Sequence, residues 1–518
     1  METARRKMHS RVWLFPLLAV SAVSAAAYLA TWLLDSAGSP GLSLADVLFV
    51  PGDQSTLSGL PEVVAGVLGI TITVVAIIVE LAANRYTPRI TELFVESPTN
   101  LAVLGFFVLS GLLCVWVSLT GSHPGFVPRV GTAATVFAIT ACLLLILPYF
   151  AFVFSFLTPD NVIDRMASVG LTAIGRGRRG DDAALGRARQ QAVRGVDQLA
   201  DVALNAIENK DKGICMHAVN ALGRLTRDYL ALKPGMPAGW FSMDTPLREN
   251  SDFVSMQPEV LGDIEAGKFW FEMKVLRQYQ MLYGETLNRL RDLNYLIAIN
   301  TRKIAEEALA CGDERAAALA VKFFNTYLRA TVNAEDVRTA YNVLNQYRLL
   351  AEHALKAGRG DLAVEAALRF KYYGQLGFSS GLHFILETAA YDLCTLNELA
   401  FDLASPCRDE LLSIFLEVDK EAEEGHALES SLRGVRKAQV KLATYYLIHG
   451  AEDAALRIFE DMRNELPARL ASIREEMARI TSKDFWEVSD RGGNFDYLDP
   501  ERRGMLDKFF GWFAPRGA

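Results

Sequence analysis

Glu80 closes the apolar run "VVAGVLGITITVVAIIVE" before the first cation, Arg85. A carboxylate at the end of a lipid-length segment can select or carry cations or protons, or can anchor the segment at headgroup water. Two other patterns suggest chemistry. "GFSSG" at Gly377–Gly381 fits Gly-x-Ser-x-Gly, with Ser379 as nominal nucleophile, but that elbow needs a strand before it and a helix after. Here it interrupts two helical segments, and we read it as a Gly/Ser turn. His383 and Glu387 stand four apart, as two metal ligands on one helix face would, but no third ligand follows at helical spacing. They are read as a helix-surface pair. No phosphate-cradling Gly-x-x-x-x-Gly-Lys-Ser/Thr and no His-Glu-x-x-His is present. The sequence therefore predicts no catalytic residues, no metal site and no cofactor, and so a protein that is not an enzyme.

The elements that must position Glu80 are membrane spans. Residues 1–160 hold only 7 of the 53 Lys and Arg and 9 of the 61 Asp and Glu, so the remainder has ordinary soluble composition. Four apolar runs in that first part are long enough to cross about 30 Å of hydrocarbon. They are Val12–Leu34, Pro61–Ala83, Leu101–Leu119 and Val130–Leu157. The first is too long for a typical signal peptide and more spans follow, so it is expected to be retained. Arg5, Arg6, Lys7 and Arg11 precede the first span, Arg85 and Arg89 follow the second, and Arg176, Arg178 and Arg179 follow the fourth. The loop after the first has no Lys or Arg and that after the third only Arg129. The positive-inside rule then puts both termini in the cytoplasm of a multi-pass inner (plasma) membrane protein. The net charge of −8 argues against nucleic acid as a partner. The six Cys form no Cys-x-x-Cys pair, and Cys114 and Cys142 lie in apolar runs. They are expected as core residues in a reducing compartment.

At about 100° per residue, Glu62, Ala65, Gly69, Thr73, Ala76, Glu80 and Ala83 share one face of the second span. Val67, Ile70, Val74, Ile77, Ile78 and Leu81 lie opposite, with Thr71 the polar exception. Pro61 suits the first helical turn, and Pro88 should end the helix near Thr87. Two readings of the small face are open. Ala65, Gly69 and Ala76 let a neighbouring helix approach, with Glu80 anchored near the cytoplasmic surface by Asn84, Arg85 or Arg89. Alternatively, Glu62, Thr73 and Glu80 line a path in an oligomeric channel or transporter. Against a dedicated transporter, no second charge lies near the bilayer centre and no inverted repeat is evident.

The stretch "ANRYTPRITELFVESPTNLAVLGFFVLSGLLCVWVSL" resembles an uncharacterised bacterial family of predicted membrane proteins, a domain of unknown function, over residues 55–225. On that likeness Tyr86, Thr87, Pro88 and Arg89 occupy a signature turn, followed by a short amphipathic connector and a span near Gly105. The resemblance implies membrane architecture and supplies no activity.

Beyond residue 160 apolar residues recur at three and four, and strand-like alternation is scarce. The expectation is an all-α chain: a four-span unit over 1–160, juxtamembrane helices over 161–235, a Pro/Gly-rich loop, and helical hairpins over 263–518. Gly312, Gly358 and Gly450 align at steps of 46 and twice 46, with Ala305, Ala351 and Ala443 seven before and Ala317, Ala363 and Ala455 five after. A skipped copy would centre near Ala404. "LATYYLIHGAEDAALRIFEDMRNELP" resembles a tetratricopeptide repeat, with Leu442, Ala443, Tyr446, Gly450, Ala455, Phe459 and Pro467 at matching positions. The period departs from that repeat's usual 34 or so residues, and a helical bundle remains the alternative. The tail "MLDKFFGWFAPRGA" either lies in the membrane interface or docks on the helical domain. The function expected is a membrane-tethered interaction or assembly module, with the lipid bilayer and a protein partner or second copy as its contacts.

Overall fold

The computed structural model describes residues 59–85, 90–121, 129–178, 182–419, 432–485 and 490–514. The described residues form helices and connections without a strand. The chain divides into two compact units, residues 1–165 and 166–518.

In the first unit α1 (Leu60–Arg85), α2 (Ile90–Val95), α3 (Pro98–Gly121) and α4 (Arg129–Phe156) follow in order. Three helices among the described residues are long and apolar enough to cross a membrane, over Glu62–Asn84, Pro98–Val115 and Ala133–Phe156. These are the second, third and fourth spans of the sequence reading, with ends displaced by a few residues. The first, Val12–Leu34, lies outside the described residues. Val64 of α1 meets Cys114 of α3 and Ile139 of α4 in a small core. Asn100 and Tyr149 add a buried polar clasp, the tyrosine hydroxyl donating to Asn100 Oδ1 at 2.6 Å. The amphipathic connector is α2, whose Ile90 and Phe94 are buried, Phe94 edge-on to Phe156 at 5.3 Å.

The chain continues through α5 (Pro159–Gly177), α6 (Asp182–Glu208) and α7 (Lys212–Leu232), then α8 (Pro258–Gly267) and α9 (Trp270–Arg289). Next come α10 (Asp292–Ala310), α11 (Glu314–Asn333), α12 (Val337–Lys356), α13 (Gly360–Ser379) and α14 (His383–Asp402). After them come α15 (Arg408–Leu416), α16 (Arg433–Ile448), α17 (Glu452–Met462), α18 (Pro467–Arg479) and α19 (Leu506–Gly511). Each helix from α9 to α14 packs on its sequence neighbour and on the helix two along. Two layers result: α6, α9, α11, α13 and α15 touch in series, and α7, α10, α12, α14 and α16 touch in series beneath them. The Pro/Gly-rich stretch between α7 and α9 is no bare loop. Trp240 and Phe253 are fully buried in it, and Trp270 donates its indole N–H to the Trp240 carbonyl at 2.8 Å.

Left-handed residues set the spacing of the layers. Gly312, Glu335, Gly358, Gly381 and Ala404 all have φ between +47° and +79° and stand 23 residues apart, and Gly450 falls two such steps further on. At each, the left-handed N–H bonds a carbonyl three residues back, and the next N–H bonds one five back. This is the Schellman closure of a helix C-terminus. Asp313 and Asp336, directly after two of these residues, cap the next helices by accepting from Ala316 N–H and Thr339 N–H. The 46-residue step seen in sequence is therefore two helix-and-turn steps. Glu335 and Ala404 hide the shorter one because a non-glycine residue takes the left-handed position.

The carboxy-terminal tail docks on the second unit. Leu506 and Phe509 are buried, Phe459 of α17 contacts Phe513 at 4.7 Å, and Lys508 pairs with Glu452 at 2.7 Å.

Two outcomes test this packing in thermal unfolding of the detergent-solubilised chain. An L-residue in the left-handed region costs about 1–2 kcal/mol. Ala404→Gly should therefore raise the midpoint and Gly358→Ala lower it. Ala455 is fully buried, so Ala455→Leu should destabilise by about 1–3 kcal/mol through overpacking. An unchanged midpoint for Ala455→Leu would contradict the packing.

Candidate functional site

On the small face of α1, Glu62, Ala65, Gly69, Thr73, Ala76 and Glu80 are exposed and Ala83 is half-buried; Asn84 is exposed as well, and the Thr73 hydroxyl donates to the Gly69 carbonyl at 2.8 Å. A Cβ added at Gly69 would meet nothing within 4 Å. The buried residues Val64, Thr71, Val75 and Val79 form a different stripe of α1, which packs on α2, α3 and α4. No helix among the described residues covers the small face. Ile70, Val74, Ile77 and Leu81 are exposed, as a lipid-facing stripe would be. Arg85 ends α1, its side chain lying outside the described residues together with Tyr86, Thr87, Pro88 and Arg89.

The enzyme-like patterns come apart in the structure. Gly377 and Ser379 belong to the last turn of α13, where the serine hydroxyl donates to the Gln375 carbonyl, and Gly381 is the left-handed residue of the turn. His383 starts α14 with its ring against Phe378 at 4.8 Å, and no three metal-ligating side chains cluster among the described residues.

The densest polar constellation lies elsewhere, on the layer of α12, α14 and α16. An irregular segment, residues 490–503, with turns at its start and the short helix Pro500–Gly504 at its end, crosses these three helices in turn and is held by side chains at each crossing. Arg491 donates to Asp392 Oδ1 of α14 at 2.5 Å and to the Tyr341 carbonyl of α12 at 2.5 Å. Its guanidinium lies 4.2 Å from the Tyr341 ring centroid. Asp392, buried to 2% exposure, also faces Arg348 Nε at 3.2 Å, so two cations share one buried carboxylate. Phe495 stacks on Tyr391 at 4.7 Å, and Asp496 accepts from the Tyr391 hydroxyl and pairs with Lys437 of α16 at 2.7 Å. Lys441 donates to the Phe495 carbonyl at 2.7 Å. Arg502 grips both oxygens of Glu398 at 2.7 and 3.0 Å, and Leu498 is fully buried. None of these residues was singled out in the sequence. The strap residues and their partners are 54 to 150 residues apart, and no local pattern marks such a strap.

Beside the strap opens a cavity of about 820 Å³, with Arg338, Tyr341, Phe384, Glu387, Asp490 and Phe495 in its lining. A second, of about 370 Å³, shares Arg338 and Asp490 with it and reaches Asn342. Glu387 lies where α14 approaches α16: a Cβ at Gly434 would stand 2.3 Å from its carboxyl carbon, so a larger residue there would displace the Glu387 side chain. Burial, and then the charge of Asp496, raise the Glu387 pKa, and Lys437 offsets part of this.

Residues 9–217 match the model of a family described as predicted membrane protein (DUF2254). Compared with the curated proteins and with the solved structures, the chain has no match. The family match and the three apolar helices make this a membrane protein; the function of the matched family is unknown. The strap and its cavities lie beyond the matched residues.

Removing one partner of a buried ion pair costs about 3–5 kcal/mol. Arg491→Leu should accordingly speed hydrogen exchange over residues 490–503 and leave α10 and α11 protected; unchanged exchange would mean that the strap is held without it. The raised Glu387 pKa has a signed consequence. A carboxyl that titrates higher in the folded than in the unfolded chain contributes stability at low pH that is lost as pH rises through its folded pKa. Glu387→Gln removes that loss, so its melting temperature relative to wild type should be higher at pH 8 than at pH 4.

Proposed function

We propose that this chain is a non-enzymatic, membrane-tethered interaction module, multi-pass in the inner (plasma) membrane with both termini cytoplasmic. Its second unit, built of tetratricopeptide-like hairpins, would bind a protein partner on the layer formed by α12, α14 and α16. One observation carries the reading. Three successive helices of that layer already hold an irregular segment of the chain through charged and aromatic side chains, with open cavities beside it. A surface made of repeated helical units and lined by such groups suits an extended ligand. The loop charges supply the orientation.

A photo-crosslinking amino acid at Phe384, which is 43% exposed at the cavity, tests this in native membranes against the same probe at exposed Met281 of α9. A discrete protein adduct from position 384 alone is expected. Absence of any adduct, or the same adducts from both positions, would remove the reading.

The exposed line of Glu62, Thr73 and Glu80 supports a second reading, an oligomeric ion path along α1. In reconstituted vesicles, ion flux that Glu80→Gln abolishes without loss of assembly would favour the path. No flux from folded wild type, together with failed assembly of Gly69→Leu, would favour a packing face toward another helix.

A further inference from the structure

We propose that the cavity beside the strap receives an arginine or lysine side chain from a basic segment of a protein partner. The inference rests on the groove reading above and names the chemistry of the partner.

The wall of the cavity is aromatic. Phe384 lies 5.8 Å from Tyr341, which lies 6.1 Å from Phe495, and Phe384 keeps its ring exposed. Such ring faces attract a cation that has shed part of its water. Acids stand among the rings. Asp496 is spent on Lys437 and Tyr391, whereas Glu387 and Asp490 take part in no ion pair among the described residues. Among the described residues the one lining cation is Arg338, at the seam with the second cavity. Glu387 is held uphill by burial and by Asp496; a second cation arriving beside it would relieve both. The chain itself shows that this chemistry works on this surface. Arg491 of the strap sits one step away on the same tyrosine, its guanidinium over the ring, one N–H donating to Asp392 and another to the Tyr341 carbonyl.

The adjoining cavity argues for a peptide rather than a small cation. It continues the opening past Arg338 and Asp490 toward Asn342, whose buried Oδ1 has no hydrogen-bond partner among the described residues. That oxygen is an acceptor for a backbone N–H, a group that an extended peptide offers and a free amine held at Glu387 does not bring there.

The test uses the full chain in phosphatidylcholine nanodiscs, so that no anionic lipid competes for basic probes. A fluorescent hexapeptide alternating Arg and Gly is titrated by anisotropy, beside its Glu–Gly counterpart and beside Nα-acetylarginine amide as competitor. Saturable binding of the Arg peptide alone is expected, with the small amide competing at least tenfold less well than unlabelled peptide. Glu387→Gln and Phe384→Ala should each weaken the peptide about tenfold, the loss of one charged or ring contact. Asp490→Asn, at an exposed position, serves where either variant misfolds and should also weaken it. No saturable binding, or binding that none of the three variants changes, would overturn the proposal. Equal affinity for the amide would overturn the assignment to a protein segment. Site-specific crosslinks from position 384 without Arg-peptide binding would leave the groove reading standing and remove only this one.

Discussion

The second unit depends on a single backbone constraint, a left-handed residue every 23 positions. A helix of about 20 residues rises about 30 Å, and a three-residue Schellman turn then reverses the chain before the next begins. Because the interval from Gly312 to Ala404 never varies, successive helices have matching lengths and every second one lies beside its predecessor. Two layers follow without any further instruction. So does a surface on which α12, α14 and α16 present equivalent positions side by side. The strap crosses that surface obliquely, meeting Tyr341, Tyr391 and Tyr445 on three consecutive helices of one layer, each about one helical turn further along its helix than the last.

Much of this was legible. Uninterrupted apolar runs located the three described spans within a few residues, because lipid imposes a length as well as a composition. Alanines at fixed offsets from Gly312, Gly358 and Gly450 marked real turns, and Ala305, Ala351, Ala443 and Ala455 are all buried. The true interval was concealed where the left-handed residue is Glu335 or Ala404, since a side chain there is tolerated at a cost and leaves no compositional trace. The face of α1 was legible only in part. Residue size located a small face and a branched one, but Val64, Thr71, Val75 and Val79, the stripe that packs on α2, α3 and α4, differ little in type from their lipid-facing neighbours. In a membrane, apolarity does not distinguish inside from outside.

The strap was illegible for a different reason. Residues 490–498 have no helical periodicity of their own, and they are held by groups far away in sequence, on α12, α14 and α16; only the short helix Pro500–Gly504, capped by Asp499, has a local signal. Polar contacts of that kind carry no periodic signal. Arg491 looks like any surface arginine until Asp392 and Tyr341 are brought beneath it.

Repeated helices raise a problem that apolar packing alone does not solve. Layers built from Ala, Leu and Tyr at recurrent positions offer nearly equal contacts if one helix slips past another or docks one place along. Buried charges differ from place to place. Lys233 joins Glu272 and Asp313; Lys274 joins Asp197 and Asp252; Arg436 joins Asp419, Asp461 and Glu465; Arg348 and Arg491 share Asp392. Apart from Arg436 with Asp461, on helices joined by the Gly450 turn, these pairs link elements that the turns do not connect directly, and no two sets are alike. Desolvation cancels much of what such pairs add to stability, yet a broken pair strands a charge at a cost of several kcal/mol. A misplaced helix would strand at least one. The ion pairs thus penalise wrong registers more than they favour the right one. By the same reasoning the strap, crossing three similar helices, is fixed in place by Arg491 and Arg502 rather than by its apolar contacts.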